Sequence, residues 1–461
     1  MIANRNLQQS LAGGTDTIVA LGTAPGRGAL AVIRLSGDRA IEIAGRHITP
    51  WPLKAREASL CTVRDGPQAL DHSIVTAFIA PQSFTGEDLV EISTHGGHVV
   101  PASVMTALIS SGAREALPGE FTRRAVLNGK LDVMQAEAIG DLVDARSGAM
   151  QQAALNQLDG GLSSRIATLR ESILSLESLI AYDVDFPEED DGPISRDRII
   201  ESTDGLLEAL DLLLSTIPVG QIVKDGAIVV IAGEPNVGKS SLFNALLGEN
   251  RAIVTEIPGT TRDAIEGLID AGRWPMRLID TAGLRESDDV VERLGIETSE
   301  RYISRAHLVL ACGDNEASLE RTLSVVSSMS STPAIPVLTK SDMNGETSRT
   351  TSNNPSYLRV SAVTGDGLGS LQAEMERTIS QIHGDVTPEL PVLTRARHIQ
   401  ALEYARSEIS EFRTAWSAGT LPSTVVAVHL RSGCVSLEGL IGAVSTDDVL
   451  ERLFSSFCVG K

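Results

Sequence analysis

The sequence predicts a multidomain protein: an N-terminal α+β domain, a helical domain, and an α/β P-loop domain inserted into the helical one. Three observations predict it. Residues from about 16 to 125 mix short β-like runs with Gly and Pro breaks. Residues from about 127 to 217, and again after Pro391, carry helical periodicity. Between the helical stretches the chain alternates strand, glycine loop and helix. At 461 residues two or three domains are expected, with boundaries at 1–127, 128–221, 222–382 and 383–461. The second and fourth segments are the two parts of the helical domain.

In the first segment "TIVALGT", "ALAVIRLSG", "SIVTAFIA" and "DLVEISTHGG" read as strands, and "VVPASVMTALISSG" reads as a helix. In the second, Leu162, Ile166, Leu169, Ile173, Leu176 and Ile180 recur at spacings of four and three, one apolar seam along a helix. The acidic turn "DFPEEDDGP" (185–193) ends it, and a second seam runs through Leu206, Leu210, Leu213 and Ile217. "AIVVIAG" (227–233) is a continuous β-branched run, as a parallel strand covered on both faces requires. The last segment reads as helical through "TRARHIQALEYARSEISEF" and on to "TDDVLERLFSSFCVGK".

Composition narrows the function classes. No run of 18 uninterrupted apolar residues predicts a membrane helix, and Asp16 and Arg27 interrupt the early apolar stretch, against a signal peptide. Cytoplasmic residence is expected. Cys61, Cys312, Cys434 and Cys458 are scattered without a C-x-x-C pair, which argues against a disulfide framework or a zinc site. A net charge of −21 and only 3% aromatic residues leave no overall positive field and few stacking platforms for nucleic acid. If nucleic acid is involved, a local patch or a basic partner holds it.

The chemistry concentrates in the α/β segment. Gly233-Glu234-Pro235-Asn236-Val237-Gly238-Lys239-Ser240 fits G-x-x-x-x-G-K-[ST] between a predicted strand and the helical run "SLFNALLG", with Ser241 continuing the contact. Backbone N–H groups of such a loop close around phosphate oxygens. Lys239 then serves the β/γ-phosphates and Ser240 ligates Mg²⁺. Three further pieces follow in GTPase order. Thr261, in the stretch Thr255-Glu256-Ile257-Pro258-Gly259-Thr260-Thr261, is placed to close over the γ-phosphate and Mg²⁺. Asp280-Thr281-Ala282-Gly283 supplies D-x-x-G. Thr339-Lys340-Ser341-Asp342 stands where N-K-x-D would, followed by Ser361-Ala362-Val363 beneath the base. A carboxylate at Asp342 accepts from the N1–H and 2-amino group of guanine, a pair that adenine lacks. These motifs predict GTP binding.

Two positions depart from the usual pattern. Thr339 replaces asparagine, keeping a hydroxyl but losing the amide that ties the base loop to the P-loop, so somewhat weaker nucleotide affinity with unchanged base choice is expected. Leu284 stands after D-x-x-G, where small GTPases often carry a glutamine that orients the attacking water. Either the domain binds nucleotide without turning it over, or another group does the glutamine's work.

The blocks "PGRGALAVIRLSG", "SFTGEDLVEISTHGG" and "PGEFTRRAVLNGKLDVMQAEAI", the G motifs, "DTAGLRE..VERLGIE" and the terminal "FSSFCVGK" together carry a resemblance that covers nearly the whole chain. By these the chain resembles the tRNA-modification GTPase family MnmE (TrmE). The resemblance implies a homodimer whose Ras-like G domains hydrolyse GTP face to face in the presence of K⁺. It places K⁺ on Asn236, with Thr255, Ile257 and Thr260 adding oxygens, and the water-orienting acid at Glu292; Arg262 and Arg285 would order the switches.

The resemblance also makes the N-terminal α+β domain a dimerisation and folate-binding domain. Arg34, Glu91, Lys130 and Lys461 are its matching positions for a 5-formyl- or methylene-tetrahydrofolate. The expected partner is MnmG, an FAD-containing protein, in a heterotetramer that holds the tRNA mainly through MnmG. Together they would place an aminomethyl or carboxymethylaminomethyl group on carbon 5 of the wobble uridine. Cys458 is open between a nucleophile or one-carbon acceptor and a structural thiol. Two other classes also stay open: a ribosome-assembly or signalling GTPase, and a stand-alone folate-dependent enzyme with a regulatory G domain.

Overall fold

The computed structural model describes residues 16–185, 196–249, 265–280, 302–343, 357–384, 391–442, 454 and 457–460. They fall into two compact units, one built from the chain up to Gly140 together with Leu437 onward, the other from Asp141–Ser436.

The N-terminal unit is an α+β layer. Its strands are β1 (Ile18–Leu21), β2 (Leu30–Ser36), β3 (Ile48–Thr49), β4 (Ser59–Asp65), β5 (Gln68–Phe78), β6 (Leu89–His95) and β7 (Arg114–Glu115). They form one sheet in the order β3-β4-β5-β6-β2-β1-β7, antiparallel except for the β1–β7 pair. Alternation sends Val19, Ile33, Leu35, Val75 and Ile92 to one face, where α1 (Ala40–His47) and α2 (Val99–Ser110) bury Ile43, Val104 and Leu108 against them. The strands β1, β2 and β6 and helix α2 fall within the runs expected from the sequence; β5 overlaps its expected run (73–80) but begins earlier, at Gln68, and β3, β4 and β7 add strands to them. Helix α3 (Glu120–Leu127) is fixed by buried charge, because Arg124 donates to Asp16, Glu87 and Glu120. Helix α4 (Val133–Asp144) follows.

The chain's terminal residues correct one expectation. Cys458-Val459-Gly460 are not helical: Val459 makes an antiparallel bridge to Pro118, and Gly119 N donates to the Cys458 carbonyl. Gly460 has φ +96°, and a Cβ there would stand 2.6 Å from the Leu21 carbonyl oxygen. The helical pattern stops because this bridge, rather than local periodicity, sets the backbone.

The second unit contains helices and an α/β sheet. Its helices α5 (Gly148–Leu158), α6 (Gly161–Asp185), α7 (Arg196–Leu214) and α8 (Ile217–Asp225) precede the sheet. All six apolar seam residues of α6 are buried, from Leu162 to Ile180. Leu206, Leu210 and Leu213 are buried on α7, but the second seam breaks before Ile217, where Pro218 opens α8. The acidic turn 186–193 lies outside the described residues.

The sheet runs β13-β12-β11-β8-β10-β9: β8 (Ala227–Gly233), β9 (Ile265–Ala271), β10 (Trp274–Asp280), β11 (Leu308–Gly313), β12 (Ala334–Leu338) and β13 (Leu358–Arg359). Only β9 pairs antiparallel. Helices α9 (Lys239–Glu249), α10 (Glu316–Met329) and α11 (Leu368–His383) cover it, burying Leu242, Leu246, Leu319, Val326, Leu371 and Met375. Two more helices complete the unit, α12 (Ala396–Ala418) and the greater part of α13 (Ser423–Ile441).

By length and composition alone, 196–225 and α13 are apolar enough to cross a membrane. The first carries Asp204 and Asp211, paired to Arg413 and Arg406 of α12, and both stretches bury one apolar face in the bundle. That is the pattern of core helices in a water-exposed bundle.

Candidate functional site: a P-loop joined to a base loop

The P-loop starts where the buried strand β8 meets the first turn of α9. Gly233 passes so close to β11 that a Cβ would lie 2.5 Å from the Cys312 carbonyl oxygen, so only glycine fits. Asn236 takes φ +63°, a left-handed conformation that asparagine tolerates better than most residues. Lys239 is buried, and its ammonium donates to the carbonyls of Gly233 (3.0 Å) and Glu234 (2.9 Å). Ser240 and Ser241 are exposed in the first turn of α9. Asp280 ends β10 with its side chain almost fully buried, level with Ile231 of β8.

Parallel pairing brings the ends of β8, β11 and β12 together, and the base loop leaves from there. The Thr339 hydroxyl donates to the Val237 carbonyl, with the Gly313 carbonyl 3.1 Å away as a second acceptor. The hydroxyl that threonine keeps in place of the amide thus ties the base loop to the P-loop. Lys340 adds a second tie, donating to the Asn236 carbonyl at 2.6 Å with Asp314 3.4 Å away. Asp342 is exposed, and one of its oxygens accepts from the Ser361 hydroxyl at 2.7 Å. That Ser361 oxygen also accepts from the N–H groups of Val363 and Thr364. The buried serine therefore orients the carboxylate and fastens it to the Ser361-Ala362-Val363 turn; Ser341 N donates to the Val360 carbonyl.

Two groups here escaped the sequence reading. Glu234 accepts from Ser318 and from both arms of Arg321, bracing the P-loop against α10, and these bonds hold its carboxyl down to about 2. The pair joins residues distant in the chain, and no local pattern announces it. Cys312, next to the loop, is wholly buried and its thiol is pushed up to about 12, chiefly by burial. It is no nucleophile at neutral pH.

Several positions singled out from the sequence lie outside the described residues: Thr255 to Thr261, Arg262, Thr281, Ala282, Gly283, Leu284, Arg285, Glu292 and Lys461.

The N-terminal unit gathers a second set. Arg34 and Glu91 face each other across β2 and β6, and Arg34 Nε lies 3.2 Å from Glu91 Oε1, off line for a hydrogen bond and so an ion pair. The Arg34 guanidinium sits 4.9 Å from the Phe84 ring and 5.1 Å from Phe121, and donates to the Gly460 carbonyl. Burial lowers its pKa against the opposing pull of Glu91. Lys130 is exposed and donates to the Pro81 carbonyl, on the segment that carries Phe84. The terminal tail thus meets Arg34 directly, and Cys458 is exposed on that tail.

Comparison with known proteins agrees with this layout. Residues 17–130 match the family described as GTP-binding protein TrmE N-terminus, and residues 133–458 match the MnmE helical domain. The tRNA modification GTPase MnmE of Azoarcus sp. (strain BH72) is 41% identical, over 97% of this chain and 98% of its own. The protein of that name from Heliobacterium modesticaldum is 38% identical over 97% and 99%, and that from Aquifex aeolicus 35% over 97% and 100%. Among solved structures, the G domain of the T. maritima FeoB iron transporter matches 34% of this chain and 99% of its own at 26% identity, with a TM-score of 0.25. With an N-terminal α+β unit, a helical bundle and a P-loop domain in one chain, and relatives that match it from end to end, the chain belongs to the MnmE family of tRNA modification GTPases.

Proposed function

We propose that this chain is a K⁺-activated GTPase that acts in tRNA modification, together with MnmG, at carbon 5 of the wobble uridine. The observation that carries the GTPase part is the junction of P-loop and base loop. Ser361 fixes Asp342 as a guanine acceptor, while Thr339 and Lys340 tether that loop to the carbonyls of Val237 and Asn236.

The residues present suit the groups this reading requires. Ser240 and the buried carboxylate of Asp280 offer oxygen donors for Mg²⁺, which neutralises charge on the β/γ-phosphates. Asn236, with Thr255, Ile257 and Thr260, offers oxygens for K⁺, which offsets charge as an arginine finger does. Lys239 exchanges the Gly233 and Glu234 carbonyls for phosphate oxygens when nucleotide enters. Glu292 accepts from a water and so orients the nucleophile, the task that Leu284 cannot perform. Hydrolysis drives G domains of a homodimer together and apart, separate from the carbon chemistry.

In the N-terminal unit, Glu91 takes the two N–H donors of a pterin edge, and Arg34, Lys130 and Lys461 meet the charge of a tetrahydrofolate carrying the one-carbon unit. The buried, partly compensated Arg34 has capacity for a further anion. With a net charge of −21, the tRNA is held mainly by MnmG, and the working location is the cytoplasm.

The test is a change of base preference. Asp342→Asn should exchange guanine for xanthine recognition, because the amide donates where the carboxylate accepted. Hydrolysis should then run with xanthosine triphosphate and fail with GTP. An Asp342→Asn protein that still prefers GTP would overturn the assignment.

A further inference from the structure

The start of α10 touches the P-loop, the base loop and the segment that leads into the Ser361 turn. Arg321 reaches the P-loop: its Nε lies 2.7 Å from one carboxylate oxygen of Glu234 and a terminal nitrogen 3.0 Å from the other. The Ser318 hydroxyl donates to the same carboxylate at 3.0 Å. Asp314, just ahead of the helix, lies 3.4 Å from the Lys340 ammonium of the base loop. Glu316 accepts from the Tyr357 hydroxyl at 2.6 Å. The helix is itself seated on the end of β11, where a Cβ on Gly313 would stand 2.5 Å from Leu319 N and the Thr322 hydroxyl lies 3.2 Å from the Cys312 carbonyl oxygen.

From Gly233 to Val237 every P-loop carbonyl except that of Pro235 is held by a side chain. Lys239 holds those of Gly233 and Glu234, Lys340 that of Asn236 and Thr339 that of Val237. In a trans peptide the N–H points away from the C=O, so the last two ties aim the N–H groups of Val237 and Gly238 to the opposite side, as a phosphate nest requires. Pro235 has no N–H to hold, and the loop is anchored at that point through the Glu234 carboxylate. An isolated surface ion pair contributes little, but joined pairs with a bidentate arginine contribute more. Here they are joined. Asp314 adds its charge to that of Glu234 in favouring the Arg321 cation, and it also faces Lys340. Alternating charges thus run through Glu234, Arg321, Asp314 and Lys340 and return to the P-loop at the Asn236 carbonyl.

We propose that Arg321 is a positioning residue that slows the release of guanine nucleotide: through Glu234 and Asp314 it holds the P-loop and the base loop on one helix, so that neither opens alone. The inference rests on the assignment of these loops to phosphate and guanine, and needs neither K⁺ nor folate. Arg321 lies on the outer surface of α10, so its hold on Glu234 is open to solvent and screened by salt.

Stopped-flow release of a fluorescent GDP from the full-length chain, chased with unlabelled GDP, tests this. Arg321→Ala and Glu234→Gln should each release it about three- to fivefold faster, the scale of one well-formed surface ion pair, with the association rate unchanged. The double variant should release no faster than the faster single one, because either change opens the same circuit. Arg321→Lys, which keeps the charge and loses the fork, should fall between. Raising ionic strength at fixed K⁺ with tetramethylammonium chloride should speed release from the wild type more than from Arg321→Ala. Wild-type release from Arg321→Ala would overturn the proposal, and so would single effects that add in the double variant or a salt response equal in both proteins. A wild-type chain that takes up no fluorescent GDP would instead sink the assignment of the loops, and this role with it.

Discussion

The Thr339 hydroxyl donates to the main-chain carbonyl of Val237, so one buried side chain couples the guanine-reading loop to the phosphate-binding loop. Both partners are out of reach of water's full solvation, and a carbonyl left unpaired there is expensive.

Thr339→Val keeps the shape and removes the donor. The expected loss is about 1–3 kcal/mol, on the order of ten- to a hundredfold in GTP and GDP affinity, with guanine preference retained. Thr339→Ser should bind as the wild type does. Titration with a fluorescent guanine nucleotide measures all three, and a Thr339→Val protein of wild-type affinity would show that the link carries no weight.

A second expectation concerns pH. His307 Nδ1 accepts from Ile228 N–H at 2.9 Å, which requires a neutral ring. Burial first, then His383 and Arg277, hold its pKa below the usual 6.5. The folded state therefore binds fewer protons than the unfolded chain once pH falls below that value. Stability from this group is complete above about pH 6.5 and declines as pH drops toward the lowered folded value. Thermal melting at pH 7.5 and 5.5 should show a larger drop for the wild type than for His307→Asn. Equal drops would remove His307 as the cause.

Gly460→Ala tests the terminal tail. The added Cβ meets the Leu21 carbonyl, and φ +96° is strained for any side chain, so the tail should leave its seat beside Arg34. Carboxypeptidase should then trim the variant's C-terminus faster than that of the wild type. Equal trimming would mean that the Val459–Pro118 bridge holds the tail without the close approach.

How far the sequence could be read depended on the range of the interactions. Gly233, Asn236 and Lys239 were legible because local backbone conformation and phosphate chemistry restrict those positions whatever the rest of the chain does. The seam from Leu162 to Ile180 was legible because one helix face must be buried. The extended tail at Val459 was not, since its partner Pro118 is hundreds of residues away and the preceding run has helical periodicity. For the same reason the braces from Glu234 to Arg321 and from Lys340 to Asn236 were invisible. Thr339 shows a different limit: its residue type suggested a lost bond, and only the position of the Val237 carbonyl reveals that a hydroxyl reaches.

The central claim is that K⁺ and Glu292 together replace the glutamine absent at Leu284. The most direct measurement is GTP hydrolysis by the purified protein in KCl against NaCl at equal ionic strength, with Glu292→Ala beside it. The account predicts strong stimulation by K⁺ in the wild type, on the order of the 10³-fold and upward that an arginine finger supplies, and its loss in the variant. Equal, slow turnover in both salts, unaffected by Glu292→Ala, would contradict it and leave a guanine-nucleotide switch that waits for an outside activator.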